Sequence, residues 1–204
     1  MEVQERILDT AFHLFRQYGT RSITMDDIAV RMGISKKTLY AHFADKSDLV
    51  VNVMSRHLKL MEDQCIEDRT RAEDAVEELF LVMKMLEEKL RNMNPVVMMD
   101  LQKFHAKAYQ LFDKHKNVFM LDTIRENLVR GIREGLYRAD LDIDILSHFR
   151  AASSMFCFQP ELFPMSGYDM TRIQRVLLEH FLYGVATLKG YQQIEKYKSE
   201  NYPK

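Results

Sequence analysis

The chain has 204 residues and a formal net charge of −1 at pH 7, with 47% hydrophobic and 29% charged residues, which is typical of a globular protein. A run of about 18 apolar residues, as a membrane span needs, is missing from the sequence, and the charged start leads into an amphipathic pattern rather than a signal peptide. Cys65 and Cys157 fit neither a disulfide framework nor a metal-ligand spacing. We therefore expect a protein of the reducing cytoplasm, with no membrane partner.

The fold class follows from the spacing of apolar residues. Only 7 Gly and 4 Pro interrupt the sequence, and the apolar residues mostly recur at intervals of three and four. This spacing predicts long helices rather than many short strands. We expect an all-α protein of about nine helices.

Three helices are predicted within the first fifty residues. The apolar face of the first consists of Ile7, Leu8, Ala11, Phe12 and Phe15. Gly19 is expected to close it. A second helix begins at the capping box Thr24–Asp27 and ends at Gly33, and Ser35 caps a third helix that runs through Phe43. Two short helices joined by a tight turn that contains Gly are typical of a helix-turn-helix.

The third helix has the pattern of a recognition helix. Leu39 and Phe43 are four residues apart and face the core, whereas Lys37, Thr38 and Ala41 lie on the opposite side. A Lys can contact guanine O6 and N7, and a Thr methyl can contact a thymine methyl. The four residues 35–38 alone would favour a solvated, charged helix. The capped helix and the Gly turn that precede them favour DNA recognition instead.

Helix N-termini next to cations provide the expected phosphate contacts. Asp45 is predicted to cap a fourth helix, whose free N–H groups and the Lys46 ammonium would bind a phosphate, and Thr24 would do the same at the second helix. The acids Asp26, Asp27 and Asp48 are expected to stabilise helix N-termini without touching DNA. The candidate DNA-binding residues are Thr24, Ser35, Lys36, Lys37, Thr38, Tyr40, His42 and Lys46.

This N-terminal region resembles the TetR/AcrR family of bacterial regulators. The matching segments are residues 7–15, 18–19, 24–29, 33–43 and 46–49. The resemblance implies an all-helical dimer, in most relatives a repressor, whose larger C-terminal domain pairs two subunits and binds a small effector. It also implies that Tyr40 and Lys46 contact phosphates. The chain departs from many relatives at Lys37, where they carry Gly, and this adds a cation to the groove face.

The expected division places a helix-turn-helix DNA-binding domain at residues 1–46 and a helical effector-binding and dimerisation domain at residues 47–204. Long helices are predicted at about 46–69, 72–91, 95–112, 116–135, 143–159 and 169–188. The last two of these would form an intermolecular four-helix bundle, although both could instead complete the core of one subunit. The expected dimer-interface residues are Phe149, Ile173, Leu177, Phe181, Gly184, Val185 and Leu188.

An effector pocket is predicted among the middle helices, which are rich in Met and aromatic residues. The candidate lining residues are Met83, Met98, Met99, Phe104, His105, Tyr109, Phe119 and Phe156. Flexible Met side chains suit an apolar or amphipathic ligand, but they fill an ordinary core equally well. Asp144 and His148, four residues apart, could hold a metal, although Asp144 also fits the first turn of its helix.

Two other classes of function fit the sequence less well. No Gly-rich phosphate loop, nucleophile elbow or zinc-protease motif is present, so we expect no enzyme, catalytic residue, metal or cofactor. The basic segment from Lys36 to Lys46 speaks against a purely structural adaptor. We therefore expect a dimeric regulator, in most such cases a repressor, that binds a near-palindromic operator and is released by a small effector. An activator remains possible from the sequence.

Overall fold

The structure, a computed structural model, describes residues 2–164 and 167–202. These residues fold into helices, and the isolated bridge between Tyr137 and Ala186 is the strand-like pairing found among them. The helices are α1 (Val3–Tyr18), α2 (Met25–Met32), α3 (Lys36–His42), α4 (Lys46–Arg71), α5 (Ala75–Leu90), α6 (Val96–Phe104), α7 (Ala106–Lys114), α8 (Leu121–Arg133), α9 (Ile143–Ser153), α10 (Met170–Val185) and α11 (Leu188–Asn201). A π-helical turn covers His115–Met120 and a 3₁₀ turn covers Phe156–Phe158. The all-α prediction is confirmed, and within the described ranges no helix is both long and apolar enough to cross a bilayer.

The second half of the chain differs from the predicted helix boundaries. The helix predicted at 95–112 is broken at His105, where φ is −134° and ψ is 61°. The helix predicted at 143–159 ends at Ser153. The last helix, α11, was not predicted at all. It begins after Thr187, whose hydroxyl accepts a hydrogen bond from Gly190 N at 3.1 Å, so a cap signal was present in a segment with few apolar residues.

The chain forms two compact units. The first comprises residues up to Met61 together with Asn92–His115, and the second comprises Glu62–Arg91 and the residues from Lys116 onward. Helix α4 therefore contributes to both. The functional division after residue 46 stays a prediction, since the compact unit around the helix-turn-helix also contains residues 47–61 and 92–115.

The core of the first unit holds α1, α2 and α3 together. Four of the five residues predicted for the apolar face of α1 are buried, and Phe12 is partly buried and stacks on His57 with ring centroids 4.0 Å apart. Ile28 of α2 and Leu39 of α3 are fully buried in the same cluster. Burying such side chains contributes about 1.5–3 kcal/mol each. The short α2 and α3 therefore depend on this shared core for their position.

A buried carboxylate fixes the segment between α1 and α2. Asp100 of α6 accepts a hydrogen bond from Arg21 N at 2.9 Å and one from Thr20 Oγ1 at 3.5 Å. Gly19 has a φ of +84°, and a Cβ atom built there would lie 2.8 Å from Asp100 Oδ2. Gly19 thus allows both the turn and the close approach of the carboxylate. This contact orients the backbone that leads into α2.

The core of the second unit corrects part of the predicted dimer interface. Phe181 and Val185 are 5% and 2% exposed within a single chain, where they pack in the cluster that also contains Leu182 and Leu128, and Ile173 is buried as well. Side chains already covered by their own chain cannot form the surface that meets a second copy. For Ile173, Phe181 and Val185 this burial favours the alternative that they complete the core of one subunit over the interface predicted for them.

The remaining interface candidates lie at or near the surface of the same unit. Phe149, Gly184 and Leu188 are exposed, and Leu177 is partly exposed. Leu188 is the first residue of α11 rather than the last turn of α10. These four residues remain candidates for contact with a second copy.

Candidate nucleic-acid interface

The N-terminus of α2 is closed by the predicted capping box. Thr24 Oγ1 accepts a hydrogen bond from Asp27 N at 3.1 Å, and Thr24 N donates to Asp27 Oδ2 at 2.8 Å. The hydrogen bonds from Thr24 lower the pKa of Asp27. The carboxylate is therefore engaged in stabilising the helix start, as the sequence predicted, and the first N–H groups of a helix have no intrahelical acceptor and can bind an anion.

The turn between α2 and α3 depends on Gly33. Its φ of 65° and ψ of 32° are left-handed, and its N–H donates to carbonyls of the last turn of α2. A Cβ atom there would meet nothing within 4 Å, so the backbone conformation, not space, is what favours glycine. After the turn Ser35 caps α3, since its Oγ accepts from Thr38 N at 3.0 Å.

The outer face of α3 is accessible, as a recognition helix requires. Leu39 is buried in the core of the unit, whereas Lys36, Lys37, Tyr40 and His42 are exposed. The hydroxyl groups of Thr38 and Ser35 lie 2.9 Å apart and share a hydrogen bond. The hydroxyl of Thr38 is therefore engaged locally, and its methyl group is the part suited to contact a base.

The two adjacent lysines of α3 have different surroundings. Lys36 forms an ion pair with Asp26, and this hydrogen bond raises the pKa of Lys36. Both side chains are more than half exposed, so solvent weakens the pair. Lys37 has no ion-pair partner among the described residues. The sequence did not indicate the Asp26–Lys36 pair. Because Lys36 is paired, Lys37 is the cation on the exposed face of α3 that lacks a carboxylate partner among the described residues.

Lys46 brings the start of α4 to the segment that precedes α2. Asp45 Oδ1 accepts from Asp48 N at 2.8 Å, which confirms the predicted cap of α4. The Lys46 ammonium donates to the carbonyl of Arg21 at 3.3 Å. Burial lowers the pKa of Lys46, while Asp100 and Asp27 act in the opposite direction. The structure thus brings Lys46 close to the capped start of α2.

Arg21 is a candidate that the sequence prediction missed. Its side chain is exposed, and its guanidinium lies over the ring of Phe104 with 5.3 Å to the ring centroid. Its carbonyl is the acceptor for Lys46. Arg21 precedes the Thr24 cap by three residues, and this short distance in sequence was the signal that could have identified it.

The predicted pocket residues are distributed over both compact units. Met98, Met99, Phe104, His105 and Tyr109 belong to the first unit, and Met83, Phe119 and Phe156 belong to the second. Met99 and Phe104 are 53% and 45% exposed, which favours a surface position over the pocket lining predicted for them. Met83 is fully buried in the core of the second unit, which supports the core interpretation for that residue. The other five remain candidates.

Two further polar candidates have partners in the chain. The Asp144 carboxylate pairs with the Arg125 guanidinium at 2.5 Å, and His148 Nδ1 lies 2.9 Å from the backbone carbonyl of Asp144. These contacts favour a structural role for Asp144 at the surface of α9 over the metal site that its spacing from His148 suggested.

The family comparison covers the segment just described. Residues 7–53 match the family model of bacterial regulatory proteins of the tetR family. An HTH-type transcriptional regulator of Staphylococcus aureus strain USA300 is 44% identical over 59 residues, which are 29% of this chain and 32% of the relative. The chain therefore aligns with about a third of the length of the curated relatives that it matches.

Solved structures match a much larger part of the chain. A TetR-family regulator from Agrobacterium tumefaciens has a TM-score of 0.73 at 20% identity, with 90% of this chain and 97% of that chain covered. The regulator FadR from Bacillus subtilis, solved with stearoyl-CoA, has a TM-score of 0.67 at 19% identity over 89% and 98% of the two chains. At this identity the similarity concerns the fold. The match of residues 7–53 is what relates the chain to the tetR family of bacterial regulatory proteins, and the solved structures show that the fold is shared.

Proposed function

We propose that the chain is a ligand-responsive transcriptional repressor that binds a near-palindromic operator as a homodimer. The observation that carries this proposal is the arrangement of the first unit. An exposed α3 face with the unpaired cation Lys37 lies between two capped helix starts, at Thr24 and at Asp45 next to Lys46. Such an arrangement combines base contact with phosphate positioning.

Phosphate contacts and base contacts fall to different residues in this proposal. Lys46 and the N–H groups at the start of α2 and α4 would bind phosphates and fix the orientation of the helix-turn-helix on the DNA. Lys37 and the methyl group of Thr38 would face the groove, and the exposed Tyr40 would contact a phosphate, as the resemblance implies. Lys36 would also bind DNA after its ion pair with Asp26 breaks. The exposure of this ion pair permits the exchange.

The dimer would form through the outer faces of α9 and α10. Ile145 and Phe149 of α9 and Val176 of α10 are all exposed apolar side chains. Gly184 is exposed on the same helix as Val176, and a Cβ atom there would meet nothing within 4 Å. Glycine at a helix surface permits close approach of another helix, and large exposed apolar groups favour burial against a second copy.

A small molecule would regulate operator binding. In the proposed scheme the effector binds the second unit and favours a conformation in which the two heads no longer fit successive major grooves. A hundredfold loss of operator affinity requires a preference of about 2.7 kcal/mol for that conformation. The FadR structure contains stearoyl-CoA, which supports effector binding in this fold but not the identity of this chain's effector. A regulator of chromosomal operators would act in the cytoplasm.

Selection from a random duplex library tests the DNA-binding proposal. The enriched sequences should be near-palindromic, with half-site centres about 10 bp apart or a multiple of that distance. Footprinting of a single asymmetric half-site bound by a monomer would contradict the dimeric mode, and no enrichment would contradict DNA recognition. A reporter gene under the selected operator then separates a repressor from an activator.

Three lysine variants separate positioning from reading. Lys46→Ala should weaken binding to all sequences similarly and reduce the salt slope by about one unit. Lys37→Ala should instead relax the preference at one base position, at a cost of about 1–3 kcal/mol. Lys84→Ala, an exposed lysine of α5 in the second unit, is the matched control and should change neither quantity. If Lys37→Ala leaves the ranking of operator variants unchanged, its assigned role is wrong.

A further inference from the structure

A buried polar cluster lies in the second unit at the end of α9. It consists of Arg150 of α9, Ser154, Cys157 of the 3₁₀ turn and Gln174 of α10, each of them buried. Gln174 Nε2 donates to the carbonyl of Ser154 and lies 3.0 Å from Cys157 Sγ. Arg150 precedes Ser154 by one helical turn, and its guanidinium lies over the ring of Phe181, a residue of α10. Buried polar groups from the end of α9, the 3₁₀ turn and α10 are therefore close together in this unit.

The guanidinium of Arg150 has no carboxylate partner among the described residues. Arg150 is 5% exposed, and its Nη1 has no hydrogen-bond partner in the part of the chain that the structure describes. The guanidinium carbon lies 6.0 Å from the ring centroid of Phe181. Burial lowers the pKa of Arg150 to about 10, so the group stays charged at neutral pH. Burying an unpaired ion is costly.

Gln174 offers a complementary acceptor in the same cluster. Both donor contacts of its amide are directed at Ser154 and Cys157, and its Oε1 has no partner within the described chain. Burial raises the pKa of the Cys157 thiol to about 11. The thiol is therefore protonated at neutral pH and does not neutralise Arg150. The cluster presents one charged donor and one neutral acceptor without partners.

A structural arginine in the same unit shows the contrast. Arg130 donates to Glu134 Oε1 at 2.7 Å, to Glu78 Oε2 at 3.1 Å and to the carbonyl of Ala72 at 2.8 Å. Its guanidinium is paired with two carboxylates, as a buried ion normally is. Within the described ranges Arg150 has no such set of carboxylates, so its surroundings differ from those of a structural arginine.

We propose that Arg150 and Gln174 anchor the effector, and that the effector is a small organic acid. Its carboxylate would accept hydrogen bonds from Arg150, and a hydroxyl or amide N–H next to that carboxylate would donate to Gln174 Oε1. This inference rests on the proposed function, since it names the ligand class of the proposed effector. An acid with an apolar tail is amphipathic, as the sequence predicted, and the candidate Phe156 belongs to the same 3₁₀ turn as Cys157.

Calorimetry on the full chain without DNA tests the site. The probes are 2-hydroxybutanoate, 2-hydroxyhexanoate and 2-hydroxyoctanoate, each compared with its methyl ester and with the unsubstituted acid. At least one acid should bind, and its ester should bind at least about tenfold more weakly, because the ester lacks the charge that Arg150 pairs with. Equal binding of acid and ester, or no binding by any acid, would overturn the proposal.

Variants of Arg150 and Gln174 test the contact that each residue is proposed to make with the acid. Arg150→Met should weaken acid binding at least about tenfold without lowering the melting temperature, because it removes an unpaired buried charge. Gln174→Leu should remove the preference for the 2-hydroxy acid over the unsubstituted one. Arg130→Met should lower the melting temperature, and exposed Arg133→Met should change neither quantity. An Arg150→Met chain that unfolds, or that binds the acid as the parent does, would overturn the proposal.

Operator binding is measured separately on the parent chain without acid. The bound acid should reduce operator affinity in the parent chain and leave Arg150→Met unaffected. If the chain binds no operator but binds acids through Arg150, the proposed function fails and the anion site stands. If it binds operator but no acid, the anion site fails and the DNA-binding proposal stands.

Discussion

Replacing Gly184 by Phe tests the proposed dimer surface without disturbing the core of one chain. Gly184 is exposed in α10, and a Cβ atom there would meet nothing within 4 Å. A phenylalanine in a helix is favoured over glycine by about 0.5 kcal/mol. The free energy of unfolding of one chain should therefore stay the same or rise slightly.

The same substitution should weaken dimerisation. A side chain forced into a packed interface costs about 1–3 kcal/mol, and twofold symmetry introduces it twice, so the total is about 2–6 kcal/mol. The dimer dissociation constant should then rise between about 30-fold and about 10⁴-fold. Operator affinity should fall as well, because a separate head makes only half of the contacts.

Sedimentation over a range of protein concentrations measures the dissociation constant, and a gel shift measures operator affinity. Ser199→Phe, which adds the same side chain at an exposed position of α11, is the control and should leave both quantities unchanged. A Gly184→Phe chain that dimerises as tightly as the parent would refute the proposed interface. It would also remove the reason for placing Val176 and Phe149 there.

Three further outcomes follow from the cores and the thiols. Gly131→Ala should destabilise the fold by about 1–3 kcal/mol, because a Cβ atom there would lie 2.0 Å from Tyr137 Cδ2; a denaturation midpoint equal to that of the parent would contradict this. Phe181→Ala should lower the free energy of unfolding by about 3–5 kcal/mol, because Phe181 lies in the core. An unchanged free energy of unfolding would contradict this core position. Cys65 and Cys157 both have a pKa raised to about 11 by burial. At pH 8 only about one thiol in a thousand is then ionised, so iodoacetamide should label the folded chain far more slowly than the unfolded chain.

The N-terminal site was largely predictable because its signals are local. The caps at Thr24, Ser35 and Asp45 join residues three apart, and each has the predicted hydrogen bond. The ion pair between Lys36 and Asp26 joins residues ten apart across the Gly33 turn, and its formation depends on how two helices cross. Sequence patterns identify which residues begin and end helices, but not which charges meet between them.

The anchoring cluster lay beyond sequence prediction for a related reason. Arg150 and Gln174 are on different helices, with the Cys157 turn between them in the chain. In the sequence, Arg150 interrupts an apolar helix, and such an arginine usually points to solvent. Only the packing of α9 against neighbouring segments shows that its guanidinium is buried and unpaired. A buried charge is a property of tertiary structure.

Helix α10 shows what helical periodicity can and cannot predict about a dimer interface. Helix α10 is apolar on two faces, and the 3.6-residue period identifies both without assigning either to a partner. The face with Phe181 and Val185 is covered by its own chain, while Val176 is 58% exposed on the other. A helix that needs partners on both sides is consistent with one core inside the chain and one between chains. An interface on this helix stays a prediction, and the residues proposed to form it change.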